Sequence, residues 1–398
     1  MPASPSTARA INDRLALRLL EREGPLTAAQ LKQRTGLSRP TVADLIERLR
    51  RRGLITVVGE TGATRRGPNA RLYGIVADRA HLAAVDVRTQ GVTVVVSDLL
   101  GTRLAEASLP VRHGSRTATA VARAVRLVED TAARAGDRPL HCVGIGAPGL
   151  VDPATGRLRT STGLPAWHRH LVTALEDRLP ARVLVENETN LAARAEQRDG
   201  AARDARTFVL CWIGQGVGAA VVLDGALRRG ASGGAGELGF LPVPGTAGLP
   251  SSTDCAGGFH ALVSADAIVA IAARHRLVAE PEPHEPVAAA LVRTAVADGA
   301  HPFLDELAGR LALGVAAVTA VLDPGCVVLG GEVGHAGGAV LAARVADRVA
   351  ELSPLATEVR ASALGGGAVL RGALLMAREA AQDELFAPDG DGGVGTPG

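Results

Sequence analysis

Aromatic side chains make up only 2% of this 398-residue chain, and lysine is nearly absent: Lys32 is the single lysine among 43 basic residues. With so few rings, the cores have to be built mainly from alanine, valine and leucine. The arginine bias, beside abundant alanine, reads as high genomic GC content rather than as function. Long apolar runs are missing too. None approaches the ~18 residues that a membrane span needs. The opening residues, MPASPSTARA, contain no apolar signal-peptide core. The expectation is a cytoplasmic protein with no membrane partner. The four cysteines form no CxxC pair. Cys142, Cys211 and Cys326 fall in apolar strand-like runs, where a reduced, buried thiol is the default, and only Cys255 falls in a loop. A disulfide framework is not expected.

The length allows two to three domains, and 47% hydrophobic content is that of a globular protein. Charge is unevenly placed. Residues 1–80 carry 15 basic and 7 acidic side chains, an excess of eight positive charges, so the overall +2 leaves the rest of the chain net negative by six. A basic module on an acidic body points to a nucleic-acid partner for the module alone.

Residues 1–11 are small and polar and are expected to be disordered. Asn12 or Asp13 is placed to cap a first helix with Leu15, Leu19 and Leu20 on one face, and Gly24-Pro25 ends it. Thr27 with Gln30 makes a capping-box pattern for a second helix over 28–35. Gly36-Leu37 turns the chain, and Ser38 caps a third helix over about 39–52 with Pro40 in its first turn. Val42, Leu45, Ile46 and Leu49 would face inward, leaving Arg39, Thr41, Asp44 and Arg48 outside. Helix, glycine turn and Ser-capped helix make a helix-turn-helix whose third helix reads the major groove. Lys32 stands four before the turn glycine, where a small residue is usual, and its stem would lean outward. Two strands, 54–58 and 71–76, are joined by GETGATRRGPNA as a wing. Arginines at such a tip suit phosphate or a narrow minor groove. Ser38, Arg39, Thr41, Arg48, Arg65, Arg66 and Arg71 are the expected DNA contacts. The plainer alternative is a small helical bundle with arginines that only solvate it; helix order, caps, wing and charge together favour DNA.

The body is organised around residues 207–243. Two apolar runs, 208–213 and 217–223, flank Gly214-Gln215-Gly216 as antiparallel strands, and Asp224-Gly225 turns into a short third strand at Leu227. A glycine-rich segment then delivers Glu237, well placed to grip a small polar ligand. With VGIGAPGLVD (143–152), VENETNLAARAE (185–196) and LDPGCVVLGGEVG (322–334), this stretch resembles the ROK family (Repressor, ORF, Kinase), sugar kinases and sugar-sensing repressors. The resemblance runs from about His81 to about Glu379.

What the resemblance implies is altered by what the motifs lack. After the strand carrying Asp86, family kinases place Asp-x-Gly-Gly-Thr to cradle ATP phosphates; here Arg88, Thr89 and Gln90 occupy the turn. Gly163 stands where a sugar-binding Asn is expected. Glu188 stands for the aspartate base, one methylene too long, and Asn187 for a sugar-contacting Asn. Both read equally as helix capping. Phe240 replaces a sugar- and zinc-binding histidine, and Ser251, Thr253 and Gly258 replace the cysteines of a zinc loop whose glutamate is His260 here. Zinc is therefore not expected, and no cofactor is.

The resulting expectation is an α/β protein: a two-lobe actin-like ATPase (ribonuclease H-like) body preceded by a winged helix-turn-helix. Residues 12–78 form the DNA-binding domain and 79–382 the effector and dimerisation body. Lobe 1 covers about 79–192 plus a closing helix, 365–382; lobe 2 covers about 193–364; 383–398 form a disordered tail. The function expected is that of a DNA-binding regulator, a repressor of carbohydrate genes, working as a homodimer or dimer of dimers on double-stranded DNA. Asn187, Glu188, Glu237 and His260 would contact a sugar or sugar-phosphate effector. The competing reading is a sugar kinase carrying a DNA-binding domain, and a third is a regulator that has lost small-molecule sensing.

Overall fold

The computed structural model describes residues 5–60, 70–88, 91–111, 114–159, 165–282 and 285–387. Expectations placed on the wing tip with Arg65 and Arg66, on Thr89, Gln90 and Gly163, and on residues 388–398 lie outside the described residues.

The head follows its local signals closely after the first helix. α1 (Pro5–Glu23), β1 (Leu26–Thr27), α2 (Ala28–Thr35), α3 (Arg39–Arg51), β2 (Ile55–Glu60) and β3 (Arg71–Ile75) make three helices on an antiparallel sheet of order β1-β3-β2. The Thr27–Gln30 capping box closes in both directions, at 2.9 and 3.2 Å. Gly36 takes a left-handed φ of 71° and ends α2. Ser38 caps α3. Lys32 is exposed.

α1 differs from the expectation. It is already helical at Pro5, because helix formers such as Ala8, Arg9 and Ala10 extend it backwards. Asp13 is no cap; it is buried inside the helix, and Leu15 is exposed while Ala16 and Leu17 are buried.

The body repeats one topology twice. The first sheet comprises β4 (His81–Arg88), β5 (Gly91–Ser97), β6 (Arg103–Pro110), β7 (Leu140–Ala147) and β8 (Arg182–Asn187), in order β6-β5-β4-β7-β8. α4 (Thr117–Ala135), α5 (Trp167–Arg178) and α6 (Glu188–Asp199) connect or follow its parallel strands. The second sheet has the matching order β11-β10-β9-β12-β13: β9 (Phe208–Ile213), β10 (Val217–Leu223), β11 (Ala226–Arg228), β12 (Cys326–Gly330) and β13 (Glu358–Ala361). Helices α7 (His260–Val263), α8 (Ala265–Arg274), α9 (Val287–Asp298), α10 (His301–Leu322) and α11 (Gly331–Leu352) belong to this lobe. In each sheet an antiparallel meander of three strands precedes two strands that pair in parallel. The central strands β4, β9 and β12 are buried almost throughout, as parallel strands covered on both faces must be, while edge strand β6 alternates. Cys142, Cys211 and Cys326 are buried free thiols, and Cys255 is half-buried.

The last helix, α12 (Ala368–Leu385), returns to the first lobe and packs on β4, β7 and α6. Its approach is close enough to need glycine on both sides. A Cβ on Gly144 would lie 2.3 Å from the Ala373 carbonyl oxygen, and one on Gly372 would lie 2.0 Å from the Leu191 carbonyl oxygen. Residues 383–387 are not part of a disordered tail: α12 runs through Leu385, and Phe386 is 2% exposed in the same buried cluster as Leu17, Leu49 and Leu99. The apolar anchor after the helix is the physical reason the chain stays ordered there. Gly144→Ala should therefore destabilise the protein by about 2 kcal/mol or more through overpacking, read from the denaturant midpoint; an unchanged midpoint would show that α12 slides away freely.

Candidate functional site

α3, the helix expected to read DNA, presents its N-terminal turn. Ser38 Oγ accepts from the Thr41 backbone N–H at 3.3 Å and shares a 2.7 Å hydroxyl contact with Thr41 Oγ1. Ser38 thus shapes the helix start, beside an exposed Arg39. Arg71 is exposed at the start of β3.

Arg48 is a correction. Its Nε and Nη2 donate to Asp13 at 3.0 and 2.5 Å, and Nη1 donates to Asp44. The Asp13 carboxylate is only 7% exposed, so this guanidinium holds α3 to α1 and is not offered to DNA. Its proton is held more tightly than usual, first by the Asp13 hydrogen bond. Arg52, the C-cap of α3, donates to the Leu385 and Ala387 carbonyls at 3.1 and 2.6 Å. Asp13 and the end of α12 lie far from these two arginines in sequence, so periodicity could not have found those contacts.

The second candidate region is the cleft between the two lobes, at the carboxyl ends of β4, β8 and β12. Gly331, with φ of 75° and no room for a Cβ against Ile213, turns β12 sharply into α11 and puts Glu332 at the cleft. The Gly214 turn leaves space for that carboxylate: a Cβ there would lie 2.6 Å from Glu332 Oε2. Arg88, at the end of β4, reaches across. Its Nε donates to Asp86 Oδ2 at 2.8 Å, its Nη1 to Glu332, and its Nη2 to the Gly366 carbonyl at 3.2 Å. Burial works against its charge, but Asp86 and Glu332 outweigh it and hold the proton firmly. A second ion pair crosses the lobes where Arg229 meets the buried Glu186 at 2.6 Å.

Glu188 opens α6 beside this cluster. Part of its surface faces the cleft, yet dense surroundings and then the Asp86 charge push its carboxyl up to about 8, with Glu332 adding and Arg88 opposing. Asn187 is the N-cap of α6: its Oδ1 accepts from Thr189 N and Asn190 N at 2.9 and 3.3 Å, while Nδ2 donates to the Gly149 carbonyl at 2.9 Å. Capping occupies most of that amide. Glu237 is exposed at the cleft, with surrounding protein raising its carboxyl. His260, at the start of α7, is pushed below its ordinary value by burial. Glu237 acts electrostatically on Cys255, and the His260 Cβ packs by Gly239, so these three form one corner. Asp86, Arg88, Glu188 and Glu332 form another.

The zinc that the fold family implies does not fit here. Phe240 offers no ligand, and the Ser251 hydroxyl, at a cysteine position, accepts from Thr253 N and Asp254 N at 3.4 and 3.1 Å as a turn cap. Among the described residues no group of three or more His, Cys, Asp or Glu side chains could hold a metal. Glu332 was missed from the sequence; its signal was a carboxylate directly behind the Gly330-Gly331 pair.

This combination, a winged helix-turn-helix on a duplicated two-lobe body with an interlobe cleft, defines a class of protein, and the sequence comparisons place the chain within it. The chain belongs to the ROK family, which it matches over residues 82–380, and residues 11–67 match the MarR family. It is 28% identical over 237 residues to the DNA-binding transcriptional dual regulator NagC of Escherichia coli, an alignment spanning 58% of this chain and 57% of that one. It is 30% identical over 210 residues to the glucokinase of Halalkalibacterium halodurans, covering 50% of this chain and 63% of the enzyme. The crystal structure of a ROK family transcriptional regulator homologous to the E. coli MLC protein superposes with a TM-score of 0.74 at 23% identity, covering 95% of this chain and 98% of that one.

Two measurements check the site. Arg48→Ala leaves the Asp13 carboxylate buried without its partner and should destabilise the head by about 2 kcal/mol, whereas Arg39→Ala should leave urea stability unchanged. For Glu188, the folded carboxyl at about 8 lies above its ordinary 4.5, so between these values the unfolded chain releases a proton that the folded chain keeps. Stability therefore falls as pH rises through that window. Glu188→Gln should flatten the fall, gaining on the parent above about pH 5 and matching it below about pH 4, as followed by thermal unfolding.

Proposed function

We propose that this protein is a DNA-binding transcriptional regulator, a repressor of carbohydrate genes acting as a homodimer, whose two-lobe body senses a sugar and does not phosphorylate it. The observation that carries the reading is Arg88 at the phosphate-loop position, with Asp86, Glu332 and Gly366 as its partners. Phosphoryl transfer rests on positioning and on converging donors for the transferred charge. A guanidinium already tied to two carboxylates supplies neither, and Glu188 is one methylene longer than the aspartate base that the family's kinases place there. The regulators among the chain's relatives and the exposed Arg39 turn of α3 support the DNA half of the reading. The head is joined to the body by Arg52 on the end of α12, and the other end of α12 begins next to Gly366 at the cleft.

Fluorescence anisotropy with DNA fragments from upstream of the protein's own gene and its neighbours tests this directly. Binding should fall steeply with salt, log K dropping with log[salt] by about 0.9 for each phosphate neutralised. Arg39→Ala should lose discrimination between operator and random DNA. In a coupled assay with glucose, N-acetylglucosamine or xylose, no sugar-dependent ADP should form. Turnover at ordinary rates that is lost in Glu188→Ala would overturn the regulator reading.

A further inference from the structure

Arg88 has a consequence for what the cleft accepts, and this step rests on the reading of the cleft as a sugar site. We infer that the Arg88–Asp86–Glu332 cluster is a specificity determinant that admits uncharged, hydroxyl-rich ligands and excludes phosphorylated ones, sugar phosphates and nucleotides alike. A phosphate carries about −1.5 to −2 charge at neutral pH and is held by cationic or backbone donors free to converge on it. Arg88 is the cation at the phosphate-loop position, and its Nε, Nη1 and Nη2 already donate to Asp86, Glu332 and Gly366. The three charged groups sum to one negative charge, and Glu188 stands beside them. Drawing Arg88 onto a phosphate would strip the 4%-exposed Asp86 carboxylate of its only hydrogen-bonded partner among the described residues. Leaving a buried carboxylate unpaired is strongly unfavourable.

The same corner has an appetite for the opposite chemistry. Asp86 Oδ1 is buried and has no hydrogen-bond partner among the described residues, so the end of β4 holds an acceptor that lacks a donor. A sugar hydroxyl is a donor; a phosphate dianion is not. The upward push on Glu188 is a second sign of the same field, since Asp86 and Glu332 both contribute to it, and a protonated Glu188 can itself donate to a hydroxyl oxygen. The Gly330-Gly331 turn and the Gly214 turn fix Glu332 in place, so the charge balance is built into the backbone of the second lobe and not left to a mobile side chain.

The test is calorimetric titration of the full-length protein with paired probes: glucose and glucose 6-phosphate, N-acetylglucosamine and its 6-phosphate, xylose and xylose 5-phosphate, and inorganic phosphate and adenylyl imidodiphosphate alone. The parent should bind no phosphate-bearing probe within tenfold of its unphosphorylated partner. Glu332→Gln releases Arg88 from one carboxylate and should raise affinity for inorganic phosphate and the phosphorylated probes at least tenfold, a gain that Arg88→Ala in the same background removes. Asp86→Asn approaches the cluster from the other side and serves if Glu332→Gln loses the parent's circular dichroism. Tight binding of a phosphorylated probe by the parent overturns the inference, and so does a folded Glu332→Gln or Asp86→Asn variant with no gain. If no sugar binds the parent, the sugar-sensing reading fails, while the gain or absence of phosphate binding in the variants still decides the role of Arg88.

Discussion

The close packing of α12 against the first lobe is the constraint on which the rest of the molecule depends. One helix buries its face on β4, β7 and α6, and it can do so only because Gly144 and Gly372 leave no Cβ where carbonyl oxygens sit. Its two ends do different work. At the start, Ser362 and the amides of residues 363 and 364 are gathered by the fully buried Glu196, and Gly366 accepts from Arg88. At the finish, Phe386 is buried among head and body residues and Arg52 caps the last carbonyls. Head, cleft and first lobe therefore meet a single element.

On the proposed reading, the cleft is that of a kinase-like scaffold without phosphoryl transfer. Converging glycine amides at a phosphate loop would be left unsatisfied if the phosphate never came. Here a side chain from within the loop fills that space and pairs with a carboxylate from the opposite lobe, so the two lobes are held together by the chain itself where a nucleotide would otherwise bridge them. The Glu186–Arg229 pair repeats the device on the other side of the cleft. At the former zinc loop the solution is milder: Ser251 becomes a turn cap, and no strong ligand is left behind to demand a metal.

Most of the fold was legible because its signals are local. The Thr27–Gln30 box, the Ser38 cap, the Asp224-Gly225 turn with φ of 56° and 81°, and the branched apolar runs of β4, β9 and β12 each declare themselves within a few residues. The errors share a cause of the opposite kind. Asp13 looked like a cap because its true partner, Arg48, lies 35 residues on; the end of α12 looked like tail because Phe386 is buried by residues from the far end of the chain. In the candidate site, Asn187, Glu188 and Glu237 could be located from motif order, but whether each binds or merely braces could not. Arg88 is the sharpest case. Its identity marked a departure from the kinase pattern, but its partner Glu332 is 244 residues away, and only the folded chain shows an ion pair across the cleft.

Which head–body contacts matter for sensing follows from magnitudes. Moving a regulator from almost wholly one state to almost wholly another takes about 5.5 kcal/mol of differential binding, and a ligand contributes only what it gains in one state over the other. The Arg14 and Arg18 pairs with Asp383 are about half exposed, and such pairs are worth about 0–1 kcal/mol each. They can tune the junction but cannot set it. Phe386 is different: burying a phenylalanine side chain contributes about 1.5–3 kcal/mol, and Arg52 adds two hydrogen bonds from a charged donor to the same turn. Phe386 and Arg52 thus hold the last turn of α12 to the head, and the largely buried Arg378–Glu21 pair, at 3.6 Å, holds its middle. A ligand that draws Gly366 or Arg88 out of place acts on the first turn of that same helix, whose packing through Gly144 and Gly372 is too tight to absorb a displacement locally. On the proposed sensing role, this helix would carry a change at the cleft to the head.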